Sequence, residues 1–153
     1  MKLQITSTAF GEGQPIPARH AYDQQDVSPA LHWSAVPAGT QSLALICDDP
    51  DAPGGTWVHW VLYDVPPAGT GLAEGQPKTL ELPNGARQGV NDYKKTGYGG
   101  PCPPPGKPHR YFFKVYALDI RPDLKPGITK ADLIKAMTDH VLAEGQLMGT
   151  YQR

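Results

Sequence analysis

Thr56-Trp57-Val58-His59-Trp60-Val61-Leu62-Tyr63-Asp64-Val65 is the stretch whose reading decides the fold. Aromatic and β-branched residues dominate it, and Pro66-Pro67 follows, where a backbone ladder cannot continue. The run reads as a central strand. Strict alternation puts His59 on one face with Trp57, Val61 and Tyr63, and Val58, Trp60 and Leu62 on the other.

Two further runs support the same class. Ser42 to Asp48 is continuously apolar at its centre, as expected of a strand covered on both faces. Arg110 to Asp119 puts Tyr111, Phe113, Val115 and Ala117 on one face and Phe112, Lys114, Tyr116 and Leu118 on the other. Leu3 to Thr6, Leu31 to Trp33 and Thr79 to Leu82 are weaker strand candidates, each ending at a turn signal. Thr129-Lys130-Ala131-Asp132 opens like a capping box. Leu133, Ile134, Met137 and Val141 then follow on one helical face, with Gly145 as a stop, which predicts a helix over about 129–144. The expected fold is all-β with a minor helical part, a sandwich carrying a helix near its C-terminus.

The chain has 153 residues, a length that favours one domain spanning 1–153 with its own core. Seventeen Gly and 17 Pro stay just below the roughly 25–30% at which such a composition points to disorder. Fourteen Lys and Arg balance 15 Asp and Glu, and no basic run exceeds Lys94-Lys95, so a nucleic-acid footprint is missing. The longest apolar stretch, Leu43 to Cys47, is too short to span a bilayer. The amino-terminal residues alternate polar and apolar instead of forming a signal-peptide core, which reads as a cytoplasmic protein. Cys47 and Cys102 are too few for a disulfide framework, although counting leaves one bridge between them open.

Chemistry concentrates in two places. The first is Asp48-Asp49-Pro50-Asp51-Ala52-Pro53, leading into His59. Its plain reading is an Asx-type turn at the end of a strand, with His59 a core residue that needs a hydrogen-bond partner. Asp49-Pro50 and Ala52-Pro53 are candidates for a cis peptide bond. The second is the Pro-rich loop from Tyr98 to Pro108, which ends at His109-Arg110-Tyr111. His109 and Tyr111 leave the strand on one face and Arg110 on the other. Any backbone cradle for an anion there must use the N–H groups of Gly99, Gly100, Cys102, Gly106 or Lys107, since the prolines have none. Cys102 reads as a small filler at the rim and Cys47 as core.

These two clusters, with Val27-Ser28-Pro29-Ala30-Leu31 and the ending Gly149-Thr150-Tyr151, resemble the phosphatidylethanolamine-binding protein family, in particular its bacterial Raf-kinase-inhibitor-like branch. The likeness runs over nearly the whole chain. It implies two antiparallel sheets, with both motifs meeting at one small pocket that binds phosphate-like anions and phosphoryl head groups. By motif, Asp49, His59, His109 and Tyr111 line that pocket, and Asp51, Gly100, Pro103 and Pro104 form its wall. Asp26 stands where the branch more often has Asn. An anion-contacting tyrosine of longer members is not carried over to Tyr151. The branch includes dimers, so a homodimer is an expectation too.

The residue chemistry agrees. Imidazoles near pKa 6.5 become cations as an anion arrives, so affinity should rise as pH falls. Asp49 would repel phosphate directly; its fitting role is to accept a histidine N–H and fix that ring. Tyr111 would donate its hydroxyl, and Trp57 or Trp60 would cover an apolar substituent. Binding of a small anion, phosphate or a phosphomonoester, is the leading expectation. A second is inhibition of a kinase or protease by surface contact, although names of distant relatives do not transfer function across a fold. A third is acid/base or metal-dependent hydrolysis by Asp49, Asp51, His59 and His109. Against the third, Gly-x-Ser-x-Gly, His-Glu-x-x-His and the Gly-x-x-x-x-Gly-Lys loop are all missing, and neither a cofactor nor a metal is expected.

Overall fold

The computed structural model describes residues 2–153. Its strands, in chain order, are β1 (Ile5–Thr6), β2 (Leu31–Trp33), β3 (Ser42–Asp49), β4 (Trp57–Val65), β5 (Gly71–Leu72), β6 (Arg87–Gln88), β7 (His109–Leu118) and β8 (Val141–Tyr151), with one α-helix, α1 (Lys130–Met137), before β8. A five-stranded antiparallel sheet runs β6-β4-β3-β7-β8 and a three-stranded one runs β1-β2-β5. The expected two-sheet architecture is therefore present.

Strand β3 is buried along its full length because it lies between two apolar layers. Leu43, Leu45 and Cys47 face the core between the sheets, with Phe113, Val115 and Trp33. Ala44 and Ile46 face the opposite way, onto Leu133 and Met137 of α1. Strands β3, β4 and β7 begin and end within a residue or two of expectation.

Three expectations fail. The first is the helix, which stops at Met137 instead of running to 144, because Thr138 leaves helical geometry and Asp139 takes a positive φ of 69°. Residues 141–151 form β8, paired with β7 from Leu118↔Val141 to His109↔Tyr151. Gly145, read as a helix stop, lies inside that strand, where a Cβ would strike the Leu3 carbonyl. The capping box itself is present: Thr129 Oγ1 accepts from the Asp132 amide, and the Asp132 carboxylate accepts from the Thr129 amide.

The second is Thr79 to Leu82, which is not a strand; only an isolated bridge joins Glu81 to Arg87. Leu3 to Thr6 shrinks to Ile5–Thr6.

The third failure bears on function. In β4, Cys47 pairs with Trp60 while Asp48 pairs with Val58, so His59 is the extra residue of a β-bulge. The bulge resets the alternation: Val58, Val61 and Tyr63 face the helix layer, whereas Trp60 and Leu62 face the core between the sheets; a second register shift, opposite Leu43 to Leu45, brings Val65 to the core as well. His59 does not share a face with Val61 and Tyr63. It turns to Tyr111 of β7, with ring centroids 5.1 Å apart.

Candidate functional site

A cavity of about 240 Å³ opens where the carboxyl end of β3, the start of β4 and the start of β7 come together. Asp49, His59, His109 and Tyr111 line it with Pro103 and Pro104, so six of the eight expected residues meet there. Tyr22, Ala52, Pro53, Trp57, Tyr93 and Cys102 complete the wall.

Asp49 realises both readings of its turn. Its Oδ1 accepts from the Asp51 amide at 2.7 Å, an Asx turn, and its Oδ2 accepts from His109 Nδ1 at 2.7 Å. The carboxylate thereby fixes the ring with Nδ1 protonated, leaving Nε2 for the cavity. The His59 Nδ1–H donates to the Gly99 carbonyl at 2.6 Å. That ring is 3% exposed, and burial lowers its pKa against the weaker upward pull of the Gly99 carbonyl and Asp49. Among the described residues neither Nε2 has a protein hydrogen-bond partner, and neither does the Tyr111 hydroxyl. Burial, followed by the Asp49 charge, pushes the Tyr111 phenol up, so at neutral pH it is a donor.

Asp51 and Gly100 stand behind the wall. Asp51 takes a two-pronged bond from Arg110 Nε and Nη2, each 2.9 Å, and a third from the Arg110 amide at 2.9 Å. The Arg110 bonds hold the Asp51 carboxyl below its usual range. This pair ties the turn after β3 to the mouth of β7. The Gly100 amide donates to Asp26 Oδ1 at 2.7 Å, and its carbonyl accepts from the Tyr93 hydroxyl at 2.7 Å. Asp26 takes a positive φ of 58°, which Asn tolerates equally, and its second oxygen accepts from Lys78 at 2.6 Å.

The backbone cradle shrinks accordingly. Gly99 donates to the His59 carbonyl, Gly100 to Asp26 and Gly106 to the Arg153 carbonyl, leaving the Cys102 and Lys107 amides. Trp57 is the tryptophan at the pocket, 37% exposed, whereas Trp60 is buried in the core and donates to Gln88. Both cysteines are free thiols, and no cis peptide bond occurs among the described residues.

The sequence reading missed Tyr22 and Tyr93. Their rings stack at 3.9 Å, and Tyr93 meets Trp57 and His59 edge-on at 5.6 and 5.7 Å. Neither lies in a motif with a chemical signature, and only the pairing of distant loops brings them to the cavity. Among the described residues no three His, Cys, Asp or Glu side chains are grouped to hold a metal ion, and no helix is long and apolar enough to cross a membrane.

Comparison with known proteins agrees with this geometry. The family model described as phosphatidylethanolamine-binding protein matches residues 6–152. A UPF0098 protein of Methanothermobacter thermautotrophicus is 50% identical over 151 residues, covering 99% of both chains, and one of Aquifex aeolicus is 45% identical, covering 99% of this chain and 89% of its own. Among solved structures, a phosphatidylethanolamine-binding protein homologue, CT736 of Chlamydia trachomatis, superposes with a TM-score of 0.90 at 41% identity, over 99% of this chain and 98% of its own. YbcL of E. coli superposes with a TM-score of 0.92 at 34% identity, over 100% of this chain and 99% of its own. With its family match, two-sheet fold and convergent motifs, the chain belongs to the phosphatidylethanolamine-binding protein family.

Proposed function

We propose that this protein binds a small anion, phosphate or the phosphoryl group of a phosphomonoester, in the cavity between β3, β4 and β7. The observation that carries the reading is the convergence of two imidazoles and a phenol from distant parts of the chain on one cavity, each with an uncommitted polar atom. Isolated core histidines would not share a cavity. Asp49 acts through His109 and not on the ligand, which removes the objection that a carboxylate repels an anion. The aromatic wall of Tyr22, Trp57 and Tyr93 leaves an open, apolar side for a substituent.

A cationic ring at the cavity favours the anion and the anion favours the cationic ring, so affinity rises as pH falls. Isothermal titration of phosphate and phosphoethanolamine into the wild-type protein and His109→Ala is the test. Loss of at least about tenfold in affinity is expected in the variant, and equal affinity would remove the pocket from the account. Inhibition of a kinase or protease by surface contact is the competing reading. It would be favoured by an inhibitory activity that persists when His59→Ala and His109→Ala are combined.

A further inference from the structure

Resting on the phosphoryl-binding reading, we propose that His59 acts as a hydrogen-bond acceptor that selects oxyanions retaining a hydroxyl group, so that near neutral pH the pocket takes hydrogen phosphate in preference to sulfate. The two imidazoles are not equivalent. The Nδ1–H of His109 donates to the Asp49 carboxylate, which supplies a counter-charge whenever that ring is cationic. The Nδ1–H of His59 donates to a carbonyl, that of Gly99, which supplies none.

The surroundings of His59 keep its ring neutral. It lies 3% exposed between the rings of Tyr93 and Tyr111, whose centroids are 5.7 and 5.1 Å away. The titratable groups that share the cavity with it are Asp49 from β3, His109 and Tyr111 from β7, and Tyr93 and Cys102 from the loops before β7, with Tyr22 stacked behind Tyr93; Asp48 lies beyond, held by Lys130 and Lys114. Burial lowers the pKa of the ring and outweighs the upward pull of the Gly99 carbonyl, then of Asp49, the Gly100 carbonyl and Asp48. Arg110 of β7 is spent on Asp51. With Nδ1–H committed, a neutral ring offers the cavity one group: the Nε2 lone pair. A ligand must bring the donor.

Hydrogen phosphate and sulfate share charge and tetrahedral shape and differ by one proton. The P–OH donates to His59 Nε2, while the deprotonated oxygens accept from the Tyr111 hydroxyl and from the Nε2–H of His109 in its cationic form, whose counter-charge is Asp49. Sulfate has no hydroxyl, so its oxygen lone pairs would face the Nε2 lone pair unless His59 first takes up a proton, which its burial opposes.

Titration calorimetry of the full chain with inorganic phosphate, sulfate and methyl phosphate at about pH 7.5 and about pH 5.5 tests this. At the higher pH, phosphate should bind at least about tenfold tighter than sulfate, because an unmatched buried lone pair costs on that scale. Methyl phosphate, whose second proton leaves near pH 6, should follow sulfate there. At the lower pH methyl phosphate regains a P–OH and should draw level with inorganic phosphate, while protonation of His59 should narrow the gap to sulfate. Equal affinities for phosphate and sulfate at the higher pH would overturn the selection and leave the binding reading standing. Methyl phosphate matching inorganic phosphate at that pH would overturn the role of the hydroxyl. No binding of any of the three at either pH would overturn the binding reading beneath the proposal.

Discussion

Asp49 Oδ2 accepts from His109 Nδ1 at 2.7 Å, across 60 residues of sequence, and the same carboxylate is pinned on its other oxygen by the Asp51 amide. The second bond makes the first directional: a carboxylate held in an Asx turn cannot rotate to follow the ring. Asp49→Asn keeps one acceptor oxygen but offers an amide that can turn its own donors toward Nδ1–H. Phosphate affinity should fall by about tenfold, with little change in fold stability, as measured by calorimetry beside a urea melt.

Asp51, although part of the same motif, works on Arg110. Its side chain is 30% exposed and that of Arg110 is 51% exposed, so solvent screens the pair and it adds little to stability. Asp51→Asn should leave phosphate affinity within about threefold of wild type, a loss far smaller than that expected for His109→Ala. A loss as large as that of His109→Ala would show that Asp51 touches the ligand.

Burial lowers the pKa of His59 and of His20 below the ordinary imidazole value, the latter being 0% exposed with Nδ1 on the Val27 carbonyl and Nε2 without a hydrogen bond, 3.7 Å from Glu74 Oε1. As pH falls below about 6.5 the unfolded chain takes up these protons before the folded one, so folding stability drops with acidification. The drop is limited to about 1.4 kcal/mol per pH unit for each group. Urea midpoints at successive pH values between about 7.5 and 5 should fall, and His20→Gln should flatten the dependence.

Gly100 admits no side chain: a Cβ would meet the His20 carbonyl and come within 2.9 Å of the Ala21 and Tyr22 backbone. Gly100→Ala must push apart the two loops that form the pocket wall. A destabilisation of at least about 2 kcal/mol is expected by thermal or chemical unfolding.

Leu133 is 0% exposed beneath α1, in the layer on the far side of the sheet from the cavity. Leu133→Ala should cost about 2–5 kcal/mol of stability while leaving phosphate affinity unchanged in the folded protein. Coupled losses of both would mean that the helix layer positions the site.

The sequence alone determined strands β3, β4 and β7, the central burial of β3, the family, and six of the residues that share the cavity. Each is a local signal: continuous apolarity, alternation bounded by prolines, or two dense motifs. Only the tertiary structure decided the rest. Residues 141–151 carry spacings compatible with a helix and a strand, and the choice was made by the free edge of β7, whose backbone groups β8 satisfies. A bulge is invisible in a pattern of period two, because it is defined by the partner strand. Yet the bulge between Cys47 and Asp48 is what turns His59 toward Tyr111 and away from the helix layer. Tyr22 and Tyr93 likewise reach the cavity through loop packing that no neighbour in sequence encodes.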